Sequence, residues 1–133
     1  MRIVLCRANE DAIITDVENN YETSSALVGG CIECVYPFDD NAILVCNDEG
    51  KINGMPFNRY LKADGVPYDA LMGDFFIVGD NFEGDFTDLT EPQAEMYKEM
   101  FIHPDERTHE HLEEPRWGFM PLSDEDFLDW FTN

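Results

Sequence analysis

The stretch NDEGKINGMPFNRYL, residues 47–61, together with the Lys62 that follows it, holds three of the eight basic residues of a chain that carries 29 acidic ones. Its polar residues are of kinds that recognise ligands directionally. Asn47 and Asn58 each offer an amide donor and a carbonyl acceptor, and Arg59 a planar fork of donors that matches a carboxylate, a phosphate or a base edge. If AILVCN (42–47) enters a turn and MPFNRYL (55–61) leaves it as a short helix, Asn47 returns near the Asn58–Arg59 pair. The same residues also read as turn chemistry, with Asn47, Asp48 and Gly50 reversing the chain and Arg59 pairing with a nearby acid. The sequence leaves both open.

Other chemistry-bearing groups are weaker. CIEC, residues 31–34, matches a C-x-x-C spacing, but the pair lies in a strand pattern, where residues three apart face opposite sides. A zinc knuckle needs both sulfurs on one turn, and Cys6 and Cys46 stand alone in apolar runs, so buried reduced thiols are expected. His103, His109 and His111 sit among Asp105, Glu106, Glu110, Glu113 and Glu114 without a helical phase, which reads as a solvated acidic loop rather than a metal site. DNFEGD (80–85) lacks the ligand spacing of a calcium loop and reads as a turn. No hydrolase elbow, phosphate-cradling loop or zincin motif is present, and no cofactor is implied. With so many carboxylates, a pair of them says almost nothing about acid–base catalysis. Nothing specific supports an enzyme.

The last segment, SDEDFLDWF (123–131), alternates acidic and aromatic residues as helices that dock into grooves do. Phe127, Trp130 and Phe131 would be its anchors toward a partner. Packing on the protein's own sheet needs the same face.

The elements that must position these groups follow from length, charge and pattern. One domain fits 133 residues, and a hydrophobic content of 44% argues against wholesale disorder. No apolar run is long enough to span a membrane, and the N-terminal run is too short for a secretory signal, so a cytoplasmic place, that of a bacterial host, is expected. The net charge of −21 disfavours direct binding to nucleic acid or to anionic membranes. It admits a basic protein partner, mimicry of nucleic acid, or simple solubility and salt adaptation. The charge is uneven: residues 1–50 hold ten acids and two bases, 51–79 three of each, and 80–133 sixteen acids and three bases.

RIVLC (2–6), CIECVYPF (31–38), AILVCN (42–47) and GDFFIVGD (73–80) read as strands, and AIITDVE (12–18) as a second strand or the lead into a turn at Asn19–Asn20. YETSSALV (21–28) reads as a short helix stopped at Gly29–Gly30, and Gly50 as a turn residue free to take a positive φ. TEPQAEMYKEMF (90–101) is a helix opened by a Thr90/Gln93 capping box, with Ala94, Tyr97 and Phe101 on one face. Residues 102–122 read as irregular and 123–131 as a terminal helix, packed on the sheet or free for a partner. The expected class is α+β: a small, mostly antiparallel sheet with two or three helices, in a core domain at 1–102 and an acidic extension at 103–133.

LVGGCIECV, AILVCNDEGKINGMPFNR and GDFFIVGD, in this order, resemble a family of small uncharacterised proteins encoded by phages and mobile elements of Gram-positive bacteria and catalogued as a domain of unknown function. Its pattern, approximately L-V-G-G-x-I-E, N-E-E-G-K-x-x-G-x-P-x-N-R and G-D-x-x-I-V-G, spans about residues 26–80 and falls on Asn47, Glu49, Gly50, Lys51, Asn58 and Arg59. Asp48 stands where the family usually has Glu, and Cys31 and Cys34 where bulkier residues are commoner. The resemblance supplies no activity, but it implies a role in interaction with the host. The expectation is a non-enzymatic accessory protein that holds a small, nucleotide-like host ligand near Asn47, Glu49, Lys51, Asn58 and Arg59, with Gly29 and Gly30 adjacent, and counters host defence by sequestering it. The alternative is an acidic nucleic-acid mimic that inhibits a basic host protein such as a nuclease. A homo-oligomer is compatible with either.

Overall fold

The computed structural model describes residues 1–107 of the chain, in which eight strands and two helices follow one another. Strands β1 (Arg2–Cys6), β2 (Ile13–Asp16), β3 (Ile32–Val35), β4 (Ala42–Asn47), β7 (Phe75–Asp80) and β8 (Phe86–Thr87) form one sheet in the order β2-β1-β7-β4-β3, with β8 also on β7. Strands β5 (Phe57–Ala63) and β6 (Val66–Met72) form a separate hairpin. Every pairing is antiparallel. With helices α1 (Tyr21–Val28) and α2 (Glu91–Met100), the class is α+β, as the sequence implies.

The continuous apolar runs of β1, β4 and β7 have a simple cause: the sheet is covered on both faces. Alternation sends Ile3, Leu5, Ile43, Val45, Phe76 and Val78 to one side, where they meet Val28 of α1. Val4, Cys6, Leu44, Cys46, Phe75 and Ile77 go to the other, against Ala94 and Tyr97 of α2, Phe101, and Leu61 and Leu71 of the hairpin. Both helices begin on side-chain caps. Asn20 accepts from the Thr23 N–H at 2.7 Å, and Thr90 and Gln93 bond each other's backbone in a capping box. Gly29, at φ 80°, closes α1 by donating to the Ser25 carbonyl at 2.8 Å.

MPFNRYL differs from its expected helix: residues 57–63 are strand β5. Asp64 (φ 52°) and Gly65 (φ 80°) make the two-residue turn, with both residues left-handed, that joins antiparallel strands of natural twist. Met55 and Pro56 remain in the loop, so no helical turn forms there. Gly50 also has a different reason from the one expected. Its φ is not positive; a Cβ there would lie 2.8 Å from the Met72 carbonyl oxygen, and the loop approaches β6 too closely for a side chain. The DNFEGD turn is found as expected: Asp80 accepts from the Phe82 N–H, and Asn81 from those of Glu83 and Asp85. Among the described residues, no helix is long and apolar enough to cross a membrane.

Candidate functional site

The residues singled out in 47–61 divide into two sets on different sides of the hairpin. Asn47 is almost fully buried; its amide donates to the Val28 carbonyl at 3.1 Å, and its Oδ1 accepts from the Glu49 N–H at 2.7 Å. A Cβ at Gly30 would lie 2.9 Å from the same Asn47 amide nitrogen, so that glycine makes room for the junction between α1 and β4. Lys51 pairs with Asp69 of β6 at 2.6 Å. Asn47, Glu49 and Lys51 border a cavity of about 540 Å³ between β3–β4 and the hairpin, whose wall also carries Glu33, Asp48 and Asp69. Four carboxylates against one already paired ammonium make this a poor seat for an anion.

Asn58 and Arg59 sit elsewhere, both with no exposure. The Asn58 amide donates to the carbonyls of Cys6 and Gly73, each at 2.9 Å, tying the hairpin to β1 and to the start of β7. All five N–H donors of Arg59 are matched. Nε donates to the Phe101 carbonyl at 2.8 Å, Nη1 to the Arg7 carbonyl at 3.3 Å and to Asn58 Oδ1, and Nη2 to the carbonyls of Glu10 at 2.7 Å and Ile102 at 3.3 Å. No carboxylate is among these partners. Instead the guanidinium caps the C-terminal end of α2, where the helix dipole favours a cation. Burial lowers its pKa from the ordinary value, opposed by Cys6, Asp105 and Asp11. Arg59 therefore locks the hairpin, the 7–10 loop and the end of α2 together, with no donor left over for a ligand.

Above that lock lies a groove of about 660 Å³, walled by α2, the hairpin and the loop after β3. Phe38, Tyr60, Leu61, Tyr68, Met96 and Tyr97 line its apolar part. The Phe38 and Tyr97 rings stand 4.6 Å apart, whereas Tyr68, Met96 and Met100 remain substantially exposed. At one end the Tyr97 hydroxyl donates to Asp40 at 2.7 Å, and the Gln93 amide donates to the same carboxylate at 3.2 Å. The Tyr97 hydroxyl bond holds the Asp40 carboxyl below its usual range, while burial and the carboxylate push the Tyr97 phenol up. At the other end Lys62 meets Asp105 at 3.3 Å, and Asp105 also accepts from the Tyr60 N–H at 2.9 Å, covering the outer edge of β5. No run of sequence announced this groove; its walls come from three distant segments.

The remaining candidates are placed as follows. Cys6 and Cys46 are buried, and desolvation raises each thiol to about 12. Cys31 corrects the expectation of four buried thiols: it is exposed, because it precedes the first residue of the edge strand β3, and Cys34 is half-buried. His103 contacts Asp11 at 2.8 Å; His109 and His111, like Phe127, Trp130 and Phe131, lie outside the described residues. Among the described residues, no three His, Cys, Asp or Glu side chains converge as metal ligands.

A sequence model of the family described as Domain of unknown function (DUF3846) matches residues 1–102. No curated protein and no solved structure matches the chain. The chain belongs to the DUF3846 family.

Proposed function

We propose that this member of the DUF3846 family is a non-enzymatic binding protein of a phage or mobile element, which holds a flat, nucleotide-like host ligand in the groove between α2 and the hairpin and counters host defence by sequestering it. The observation that carries this reading is the groove itself. It has aromatic and methionine walls at Phe38, Tyr68, Met96 and Tyr97, and a fixed acceptor at Asp40 for a ring N–H or amino group. Ligand sites combine such apolar walls with a few placed polar groups. A carboxyl held low and a phenol held high keep one protonation state through neutral pH, which suits recognition better than proton transfer. The expected seat thus moves from the Asn47–Arg59 stretch to the surface above it. Lys62, shared with Asp105, is the one lysine on that wall, so a base-bearing ligand with little negative charge fits best.

Thermal-shift screening of nucleosides, nucleotides and signalling dinucleotides tests the proposal. A nucleoside or weakly charged nucleotide should raise Tm more than a triphosphate does, and Tyr68→Ala should abolish the response while Lys51→Ala leaves it. No response to any of them, or a response that survives Tyr68→Ala, overturns it.

A second reading, the acidic mimic, has its own support. The buried polar residues among those described are Ser24, Asn47, Asn58 and Arg59, so none of the described carboxylates is buried. Capture of a basic nuclease that weakens steeply between low and high salt would favour it.

A further inference from the structure

We infer that the open edge of β3 is an interaction surface for a basic partner protein, whose extended segment adds to the sheet as a strand with lysine or arginine alternating with apolar residues. This site uses a different cavity from the ligand groove and does not rest on the ligand reading.

The ladder between β3 and β4 shows which backbone groups are open. β3 ends the sheet, and among the described residues no strand lies beyond it. The Asp48 N–H donates to the Cys31 carbonyl at 2.9 Å, so residues 31 and 48 form a hydrogen-bonded pair at the start of this ladder. Hydrogen-bonded and non-hydrogen-bonded pairs alternate along antiparallel strands. Glu33, opposite Cys46, and Val35, opposite Leu44, therefore turn their N–H and C=O toward β4, while those of Ile32 and Cys34 point outward. These outward groups have no hydrogen-bond partner among the described residues. The strand carries none of the proline, lysine or bulge that commonly blunts an edge, and its one charge, Glu33, is an acid. Four residues make a short edge, so side chains must supply much of the affinity.

The two faces of this edge differ in chemistry. Ile32 and Cys34, both half-buried, stand on the face that packs against Val28 of α1. Glu33 and Val35 stand on the other face, beside the cavity of about 540 Å³. Val35, Leu61, Ala70, Leu71 and Met72 form the apolar lining of that cavity, and the exposed Ile52 also borders it. Of its carboxylates, Asp69 is taken by Lys51, whereas Glu33, Asp48 and Glu49 form no ion pair among the described residues. An apolar lining beneath unpaired carboxylates suits lysine and arginine, whose aliphatic stems bury while their charged heads stay at the rim. An added strand sends alternate side chains to opposite faces. Its basic residues then meet Glu33 and the cavity, and its apolar residues meet Ile32 and Cys34. The net charge of −21 steers a basic partner toward this chain and argues against a second copy as occupant, since two such chains repel.

The test uses the full chain and two defined peptides, one alternating lysine with valine and the other glutamate with valine. Titration calorimetry should show the lysine peptide binding and the glutamate peptide not. Amide exchange at Ile32 and Cys34, followed by NMR, should be fast in the free chain and slow in the complex. Glu33→Lys with Asp48→Lys, both at exposed side chains, should weaken the lysine peptide by about tenfold or more and admit the glutamate peptide, a gain that only a folded variant can show. Glu18→Lys with Glu83→Lys makes the same change in net charge at exposed acids that do not line the cavity, and should leave the lysine peptide's Kd within about twofold. Absence of binding by the lysine peptide overturns the inference. So do Ile32 and Cys34 amides that exchange slowly before any peptide is added, binding that slows β2 at the opposite edge instead, or binding that the two double variants weaken alike.

Discussion

Replacing Arg59 by Met tests whether this buried arginine is a lock or a ligand-binding residue. The substitution keeps an unbranched apolar stem and removes five N–H donors. Of the five acceptors left behind, the Phe101 carbonyl and Asn58 Oδ1 are engaged in buried bonds; those of Arg7, Glu10 and Ile102 are in partly buried ones, which water can reach more easily. A buried acceptor stripped of its partner costs about 1–3 kcal/mol, so the two buried ones alone imply roughly 2–6 kcal/mol. That is a large fraction of the roughly 5–15 kcal/mol by which domains are stable. With a urea m-value of about 2 kcal/mol/M, the unfolding midpoint followed by circular dichroism should drop by about 1–3 M. Arg59→Lys keeps the charge but concentrates three donors at one point, so it should recover only part of the loss. A Met variant that loses less than about 1 kcal/mol at unchanged m-value would refute the lock. Retained stability together with a lost ligand response would make Arg59 a ligand residue after all.

Asn47→Ala should destabilise by about 1–2 kcal/mol, because it frees the buried Val28 carbonyl, whereas Lys51→Ala should cost at most about 1 kcal/mol, its pair with Asp69 being only partly buried and within reach of water; chemical denaturation separates the two. Gly30→Ala should also destabilise, and less than additively with Asn47→Ala, since the added Cβ meets the Asn47 amide; a double-mutant cycle reads the coupling. Asp40, lowered chiefly by the Tyr97 hydroxyl, gives stability that is present above its ordinary 3.8 and lost as pH falls through the depressed folded value. Tyr97→Phe should flatten that acid limb in pH-dependent unfolding, and no change in the limb would count against the pair. Thr90→Ala removes half of the capping box of α2 and should cost about 1 kcal/mol in the same assay.

Much of the fold was legible because its signals are local. The apolar runs of β1, β4 and β7, the Asn20 and Thr90 caps and the Gly29 stop all act within a few residues of themselves. The hairpin was missed for a physical reason: Asn58 and Arg59 are buried polar residues in the middle of β5, so hydropathy shows no alternation there. The Asp64–Gly65 dipeptide does carry the hairpin signal, for it supplies the two left-handed residues that join β5 to β6. The groove could not be read at all, because Phe38, Tyr68 and Tyr97 become neighbours only through long-range packing.

The neutral middle of an acidic chain now has a structural explanation. Each of its three cations is used inside the molecule: Lys51 on Asp69, Arg59 on four backbone carbonyls and the Asn58 amide oxygen, and Lys62 on Asp105. All three fasten the hairpin or the loop before it to neighbouring structure, and a hairpin alone is only marginally stable in water. The hairpin in turn forms one wall of the groove. Positive charge is therefore concentrated there to hold a wall in place, and Asn58, Arg59 and Lys51 serve the scaffold. On the proposed reading, recognition would fall to Tyr68, Met96 and Tyr97, none of which is among these fasteners, so variation there would retune the groove without loosening the hold on the hairpin.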